Sequence, residues 1–341
     1  MRKLGIGVLG VGEMGRRHAE NVRRLVPEAR LVAVADVAER RARQVAEELE
    51  IEHSYASLDE MAERKDIDAI LIAAPDKFHA QAIRVAAAAG KHILCEKPLA
   101  TTLDDANYAL REVERANVRL QIGFMRRYDP AYAAAMKRIE AGEIGTPVIF
   151  KSVGRDKDEP TLAAYQSKVN GMLFYNNTIH DFDLARWLMQ DEVSEVQAYT
   201  TTTIRPEVAQ FGDVVASVVN LRYIHGAIGN VESYVQAVYA YDVRTEVVGS
   251  EGSIFIGSLQ KTPATFLTKN GGTELLADHF LSRFADAYLA EVQDFVHRVL
   301  TDQEPRVTGE DGLRSLQVAV AAENSHLQSS PCKISQGKAA H

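Results

Sequence analysis

Lys97 is the residue of this chain best placed to act on a ligand. It lies in Glu96-Lys97-Pro98, directly after an apolar segment at 92–95 that is typical of an inner strand of a parallel sheet. The carboxyl ends of such strands face the ligand crevice of an open α/β sheet, and Pro98 restricts Lys97 to an extended backbone. An amine held in this way can hydrogen-bond a reacting oxygen. The same three residues could also form a surface loop, so the interpretation depends on what surrounds them.

A glycine-rich segment between a predicted strand at 4–9 and a predicted helix indicates a dinucleotide site. Gly10 allows a tight turn, Gly12 lets a pyrophosphate approach the backbone, and Gly15 lets the helix pack on the strand. Glu13 and Met14 complete the loop, and the amides of a helix N-terminus favour an anion. The alternative is a loop whose glycines serve only packing.

Asp36 follows the second predicted strand, at 31–35, and Val37 comes next. An acidic residue at this point hydrogen-bonds the ribose hydroxyls and repels a 2′-phosphate, so the sequence predicts NAD as the cofactor. Arg40 and Arg41 lie close by in the sequence and keep NADP open as the lesser alternative.

The turn after the fourth predicted strand contains small residues that leave room for the nicotinamide half of the cofactor. A plain strand-to-helix turn fits the same residues, so this segment is supporting evidence only. We expect the cofactor to be bound by Gly10, Gly12, Glu13, Met14, Gly15, Asp36, Val37, Arg40, Ala73, Ala74, Pro75, His79, Glu96 and Lys97.

His180 begins the motif His180-Asp181-Phe182-Asp183, in a segment with helical periodicity. Imidazole is suited to taking a proton near neutral pH. Oxidation of a secondary alcohol needs a base, a donor at the developing alkoxide and a hydride acceptor, and His180, Lys97 and NAD could fill these roles. A structural histidine is the alternative. Adjacent helical residues point in different directions and no second ligand cluster is apparent, so we predict no metal.

The elements that must position these residues form two regions. Buried strands alternating with helices of about ten residues predict a parallel, doubly wound Rossmann sheet over 1–123. From 124 to 330 the chain is richer in strands joined by short turns, which predicts an α+β domain with a large, mostly antiparallel open sheet. One face of that sheet would need a partner subunit to cover it. Residues 331–341 are expected to be a loose tail.

Composition narrows the class of partner. The 341 residues are 46% hydrophobic and 25% charged, as expected of a globular protein, and the net charge of −8 disfavours nucleic acid and anionic membranes. No apolar run approaches the length of a membrane span. The two cysteines, Cys95 and Cys332, form no disulfide framework and suit a reducing cytoplasm.

Several motifs in this order resemble those of the Gfo/Idh/MocA oxidoreductases, and within that family those of the inositol 2-dehydrogenases. The resemblance covers about the first 330 residues. The segments that carry it are Gly10 to Gly15, Asp36, Ala73-Ala74-Pro75, Glu96-Lys97-Pro98, Gly123-Phe124-Met125-Arg126-Arg127-Tyr128 and His180-Asp181-Phe182-Asp183.

The resemblance implies a substrate pocket between the two domains, in which Lys97 hydrogen-bonds the reacting hydroxyl and His180 accepts its proton. It also implies a cis bond between Lys97 and Pro98 and a homo-oligomer, tetramer or dimer. By similarity, the substrate-binding residues would be Lys97, Met125, Arg126, Arg155, Asp156, Asn176, His180 and Tyr239. For Arg126, Arg155, Asp156 and Tyr239 a solvated surface position is an equal alternative.

Asn176 is a departure from the family pattern, which has an aspartate one helical turn before the histidine. An amide can still bind a hydroxyl or orient the imidazole, so we keep Asn176 among the catalytic residues with Lys97 and His180. It cannot supply the charge that stabilises imidazolium. We therefore expect His180 to be a weaker base, with either a substrate other than myo-inositol or a different working pH.

The sequence thus predicts an NAD-dependent dehydrogenase that oxidises a cyclic polyol, myo- or scyllo-inositol, to the ketone. A pyranose or aldose dehydrogenase, or a keto-sugar reductase, is the alternative enzyme. A non-catalytic sensor of NAD or sugar is the alternative from another class, but a sensor needs no Lys97 and His180 together.

Overall fold

A computed structural model of the chain describes residues 2–167, 171, 173–257 and 259–335. The chain forms two compact units. The first consists of Met1–Tyr128 with Asp286–Arg314, and the second of Asp129–Ala285 with Ser315–His341.

The first unit is built on a six-stranded sheet in which every neighbouring pair is parallel. The strand order β3-β2-β1-β4-β5-β6 reverses direction at β1 and β4, which makes their carboxyl ends the switch point where ligands bind in such sheets. The strands are β1 Leu4–Leu9, β2 Ala29–Ala35, β3 His53–Tyr55, β4 Ala69–Ile72, β5 His92–Glu96 and β6 Leu120–Gly123. The predicted Rossmann fold is confirmed.

Helices connect these strands, as the alternating pattern predicts. They are α1 Glu13–Leu25, α2 Glu39–Glu48, α3 Leu58–Ala62, α4 His79–Ala88 and α5 Leu103–Ala116. Short 3₁₀ turns, Asp76–Phe78 and Met125–Tyr128, follow β4 and β6. Thr102 caps α5 because its hydroxyl accepts a hydrogen bond from the amide of Asp105 at 3.1 Å.

The second unit contains a seven-stranded sheet with the order β12-β11-β7-β10-β9-β8-β15. Its pairs are antiparallel except for β7 with β10, so the predicted, mostly antiparallel sheet is confirmed. The strands are β7 Pro147–Arg155, β8 Val193–Thr201, β9 Ala216–Tyr223, β10 Ile228–Tyr234, β11 Asp242–Gly249, β12 Ser253–Ile256 and β15 Cys332–Lys333, and a separate hairpin joins β13 Gln260–Thr268 to β14 Gly271–Leu276.

The helices of the C-terminal part are α6 Pro130–Glu140, α7 Leu162–Ser167, α8 Ile179–Met189, α9 Phe280–Arg283, α10 Ala285–Leu300 and α11 Gly309–Gln328. A π-helical turn, Leu173–Thr178, leads directly into α8, and Pro206–Phe211 is a 3₁₀ turn. Among the helices that the structure describes, none combines the length and apolarity needed to cross a bilayer.

The domain limits differ from the expected ones in two places. The first unit extends to Tyr128 and takes in 286–314, because Val292, Phe295 and Val296 of α10 pack in the same core as β1 and β2. The expected tail at 331–341 begins with an ordered strand, since Cys332 and Lys333 pair with β8. The rest of that tail, from 336 on, lies outside the described residues.

The seven-stranded sheet has two unlike faces. Alternate residues of β9 are buried, whereas Val218 between them is 40% exposed. Tyr199 of β8 and Ile228 of β10 are also exposed, at 60% and 53%. We call the face with these three side chains the open face.

Candidate active site

The glycine loop after β1 has the backbone that the dinucleotide motif requires. Gly10 has a φ of +80°, and a Cβ there would lie 2.6 Å from the carbonyl oxygen of Ala73. A Cβ on Gly15 would overlap the carbonyl oxygen of Gly10. At Gly12, in contrast, a Cβ would meet no atom within 4 Å. The backbone at Gly12 is thus open for a pyrophosphate at the start of α1, where Glu13 is exposed and Met14 half-buried.

Asp36 lies at the carboxyl end of β2, beside this loop. Its buried carboxylate accepts hydrogen bonds from the amides of Val11 and Ala38, at 3.0 and 2.8 Å, and from Nε and Nη2 of Arg41, at 3.0 and 2.8 Å. Burial by itself would raise the pKa of Asp36, but the bonds from Arg41 and the two amides outweigh it and lower the pKa below its ordinary value. The Asp36 carboxylate is therefore ionised near neutral pH.

The arginine that contacts Asp36 is Arg41 and not Arg40, which the sequence analysis had placed in the cofactor set. Arg40 is exposed on α2, and Val37 is 90% exposed. Arg41 is half-exposed and forms an ion pair with Asp36.

His79 binds backbone rather than open space. Its ring is 1% exposed, with Nδ1 2.7 Å from the carbonyl oxygen of Pro98 and Nε2 2.7 Å from that of Ala74. Each ring nitrogen of His79 is thus within hydrogen-bond distance of a backbone carbonyl oxygen. His79 thus ties the turn after β4, which contains Ala73, Ala74 and Pro75, to the segment after β5.

Lys97 follows the last residue of β5 and is half-buried, and its bond to Pro98 is cis, as the resemblance implies. Met125 and Arg126 follow the neighbouring strand β6, whose Gly123 is in register with Glu96, and both side chains are buried. Parallel strands in register bring their carboxyl ends to one edge. Lys97, Met125 and Arg126 are therefore grouped at the edge of the sheet that also carries the glycine loop.

Glu96, which the sequence analysis included in the cofactor set, contacts α1. Its carboxylate is buried and lies 2.8 Å from Nε2 of His18, on α1. Burial would raise the pKa of Glu96, but the hydrogen bond from His18 and the positive charges of His18, Lys97 and His79 lower it overall.

In the second unit, the π-helical turn Leu173–Thr178 delivers His180 to the first turn of α8. π-Helical turns occur frequently at functional sites. The hydroxyl of Thr178 closes this one, because it lies 3.0 Å from the carbonyl oxygen of Leu173, to which it donates, and 2.9 Å from Oγ of Ser233, from which it can accept. Asn176 lies in the turn and is half-buried, and His180 is 8% exposed.

Asp181 anchors the start of α8 to the sheet. Its fully buried carboxylate accepts a hydrogen bond from Oγ of Ser152, on β7, at 2.5 Å. Gly154, two residues further along β7, leaves room for the acid, because a Cβ there would lie 2.7 Å from Oδ2 of Asp181. The first turn of α8, which contains His180, is thus fixed against β7.

The remaining predicted substrate residues separate into two groups. Asp156, just after β7, accepts a hydrogen bond from Nδ2 of Asn177 at 2.6 Å, which connects it to the π-helical turn. The side chain of Arg155 points to the opposite face of β7 from Ser152 and Gly154. It therefore lies on the open face, away from α8. Its guanidinium donates to Glu232 at 2.7 Å, and also to the hydroxyl of Tyr239 at 2.7 Å. The structure therefore connects Asp156, but neither Arg155 nor Tyr239, to the turn that precedes His180.

Sequence reasoning missed His18, Glu291, Asn177 and Ser152. One signal was available for Glu291, because it interrupts the apolar stripe of α10 formed by Ala287, Tyr288, Val292 and Phe295. His18 lies three residues after Gly15 and thus on the face of α1 that packs on the sheet.

Both the N-terminal and the C-terminal part of the chain match models of a known protein family. The family model of the Gfo/Idh/MocA oxidoreductases with an NAD-binding Rossmann fold matches residues 4–124, and its C-terminal alpha/beta domain matches 136–334. The chain belongs to this family. It is an NAD(P)-dependent oxidoreductase acting on CH–OH groups, and its cofactor is NAD.

Similar proteins are inositol dehydrogenases. The chain is 40% identical to the NAD⁺-dependent scyllo-inositol 2-dehydrogenase of Bacillus subtilis, over 96% of this chain and 95% of that one. It is 37% identical to the myo-inositol 2-dehydrogenase of Thermotoga maritima, over 97% and 98%. Among solved structures, the scyllo-inositol dehydrogenase of Lactobacillus casei with NAD(H) and scyllo-inositol matches with a TM-score of 0.92, at 27% identity, over 98% of this chain and 99% of that one.

Proposed function

We propose that this oxidoreductase converts a secondary hydroxyl of scyllo- or myo-inositol to the ketone. The hydride of the C–H bond passes to the nicotinamide of NAD and the hydroxyl proton passes to the protein, so the products are an inosose and NADH. The observation that carries this proposal is the likeness, along nearly the whole chain, to dehydrogenases named for these two inositols.

In this proposal Lys97 hydrogen-bonds the reacting hydroxyl oxygen, and His180 accepts the proton. An ammonium group stabilises the alkoxide that develops as the hydride leaves. Lys97 is suited to this role because it sits at the sheet edge of the glycine loop, between residues whose positions are fixed. His180 is suited to the role of base because α8 is anchored beside it through Asp181.

We further propose that Met125, Arg126, Asp156 and Asn176 contact the polyol. Arginine and carboxylate groups bind vicinal hydroxyls through charge-assisted hydrogen bonds. We leave Arg155 and Tyr239 out of this set, because the structure pairs them with each other and with acids on the open face: Tyr239 donates to Asp242 at 2.7 Å.

The test is a steady-state assay of the enzyme with NAD and a panel of inositols and aldoses, following NADH absorbance. We expect the highest kcat/KM with an inositol. A clear preference for an aldose would replace the substrate with a pyranose. NAD binding without turnover of any polyol would favour the sensor instead.

We also propose that the enzyme is a homo-oligomer that buries the open face of its seven-stranded sheet. Tyr199, Val218 and Ile228 place exposed apolar side chains there, which a monomer would leave in water. Both cysteines are free thiols, which fits a cytoplasmic location. Light scattering on the wild type and on Tyr199→Glu tests the assembly: a tetramer or dimer is expected for the wild type and a smaller species for the variant. A monomeric wild type would refute it.

A further inference from the structure

Three buried side chains from distant parts of the chain meet next to Lys97. His18 comes from α1, Glu96 from the end of β5 and Glu291 from α10. His18 and Glu291 are completely buried and Glu96 is 7% exposed. The nitrogen or oxygen atoms that they offer all lie within 4.8 Å of one another. We call these residues the buried triad.

Glu291 is the unusual member of the triad. Neither of its carboxyl oxygens receives a hydrogen bond from the described residues. An ionised carboxylate with no donor is strongly destabilised in a protein interior. Burial, and then the charge of Glu96, raise the pKa of Glu291 well above its ordinary value. Burial without a donor therefore favours the protonated, neutral form of Glu291.

A neutral carboxylic acid carries one O–H donor. The carboxylate of Glu96 is the acceptor that the triad offers, with its ligand oxygen within 4.8 Å of that of Glu291. His18 already donates to the same carboxylate at 2.8 Å. Glu96 thus has a neutral acid on one side and an imidazole on the other, and it retains the negative charge.

The backbone on the far side of Lys97 is fixed in a similar way. The carbonyl oxygen of Pro98 lies 2.7 Å from His79, whose second nitrogen is 2.7 Å from the carbonyl oxygen of Ala74. Both neighbours of Lys97 in the chain are therefore fixed. The side chain of Glu96 is hydrogen-bonded to His18, and the carbonyl group of Pro98 contacts His79.

We propose that His18, Glu96 and Glu291 are positioning residues, which fix the Glu96 carboxylate and so aim the amine of Lys97 at the substrate hydroxyl. The inference rests on the role given to Lys97 in the proposed function. It assigns no contact with NAD or substrate to any member of the triad. Metal binding is the competing interpretation of the same residues, but the direct His18–Glu96 hydrogen bond already uses one donor atom of each.

The first test compares Glu96→Gln, Glu291→Leu and Glu291→Gln with the wild type. We expect Glu96→Gln and Glu291→Leu to lower kcat by on the order of ten- to a hundredfold, as a misplacement of about 1 Å does, with KM for NAD changed less than about threefold. The conservative Glu291→Gln, which keeps a neutral donor, should recover most of the kcat lost in Glu291→Leu. Asp286→Asn, an exposed acid on the same helix, is the matched control.

The second test needs no turnover. The rate at which acetic anhydride acylates Lys97, followed by peptide mass spectrometry over a range of pH, reports the state of its amine. The titratable groups that act on Glu96 are His18, Lys97 and His79, and Glu96 in turn acts on Glu291. Glu96→Gln removes the anion beside Lys97, so its acylation should begin at lower pH, whereas Asp286→Asn should leave it unchanged.

Each outcome is decisive. Unchanged kcat and acylation of Lys97 in Glu96→Gln, with only a lower Tm, would make the triad structural and overturn the proposal. Loss of NADH binding in Glu96→Gln would make Glu96 a cofactor ligand, and a stoichiometric metal ion in purified protein that Glu291→Leu loses would make the triad a metal site; both overturn it. An inactive wild type whose Lys97 acylation still responds to Glu96→Gln would refute the proposed function and support the positioning role.

Discussion

Replacing Asp36 with serine should weaken NAD binding and relax the discrimination against NADP. A hydrogen bond to a charged group contributes about 1.5–3 kcal/mol, so loss of the predicted ribose contact should raise the Kd for NAD by about 10- to 100-fold. The substitution also releases Arg41, which donates two hydrogen bonds to Asp36 in the wild type. Because Arg41 is half-exposed, its attraction for a 2′-phosphate is screened and adds about 1 kcal/mol, or about fivefold, to NADP binding.

The assay is a fluorescence titration of NADH and NADPH into Asp36→Ser and the wild type. The preference for NADH over NADPH should fall by about 50- to 500-fold when the two effects are combined. Asp66→Asn is a suitable control, because Asp66 also accepts two hydrogen bonds from an arginine, Arg64, but lies just before β4 and away from the glycine loop. An unchanged preference in Asp36→Ser would refute the role given to Asp36.

Three further predictions concern the loop, the proton acceptor and the buried acid. Gly12→Ala should keep the wild-type Tm and lose NAD affinity in calorimetry, whereas Gly15→Ala should lower the Tm, since only its Cβ overlaps backbone. Asn176→Asp should raise the kinetic pKa assigned to His180, because a carboxylate stabilises imidazolium; an unchanged pH profile counts against it. The raised pKa of Glu291 means that the folded state keeps a proton on this residue that the unfolded state releases. The contribution of Glu291 to stability is therefore fully present below the ordinary glutamate pKa and is lost as the pH rises toward the pKa of Glu291 in the folded state. Glu291→Gln should therefore gain Tm relative to the wild type as the pH rises above the ordinary glutamate pKa, and a constant Tm difference would contradict a raised pKa for Glu291.

The parts of the fold that depend on local pattern could be predicted from the sequence. Strands buried on both faces, such as β4 and β5, must be continuous apolar runs, and the glycine loop has a backbone that few other residues tolerate. The pairing of strands β9 and β10 could also be predicted, because a three-residue turn between two segments of alternating hydrophobicity predicts a hairpin.

Features that depend on contacts between distant segments could not be predicted in this way. The periodicity of α10 predicts a helix, but only packing shows that Phe295 belongs to the core of the first unit. Alternation along β7 shows that Ser152 and Arg155 lie on opposite faces, yet nothing local shows which face α8 covers. The hairpin β13–β14 is largely exposed and lacks a buried pattern, and it was missed for that reason.

Hydride transfer itself can be followed with scyllo-inositol deuterated at its ring carbons. Mass spectrometry of the cofactor after incubation with NAD reports whether the ring C–H bond is the source of the hydride, and the comparison of wild type with Lys97→Met reports whether the lysine is needed. We expect deuterated NADH from the wild type, at a rate at least about a thousandfold higher than from Lys97→Met. Unlabelled NADH, or equal rates for the two proteins, would contradict the mechanism.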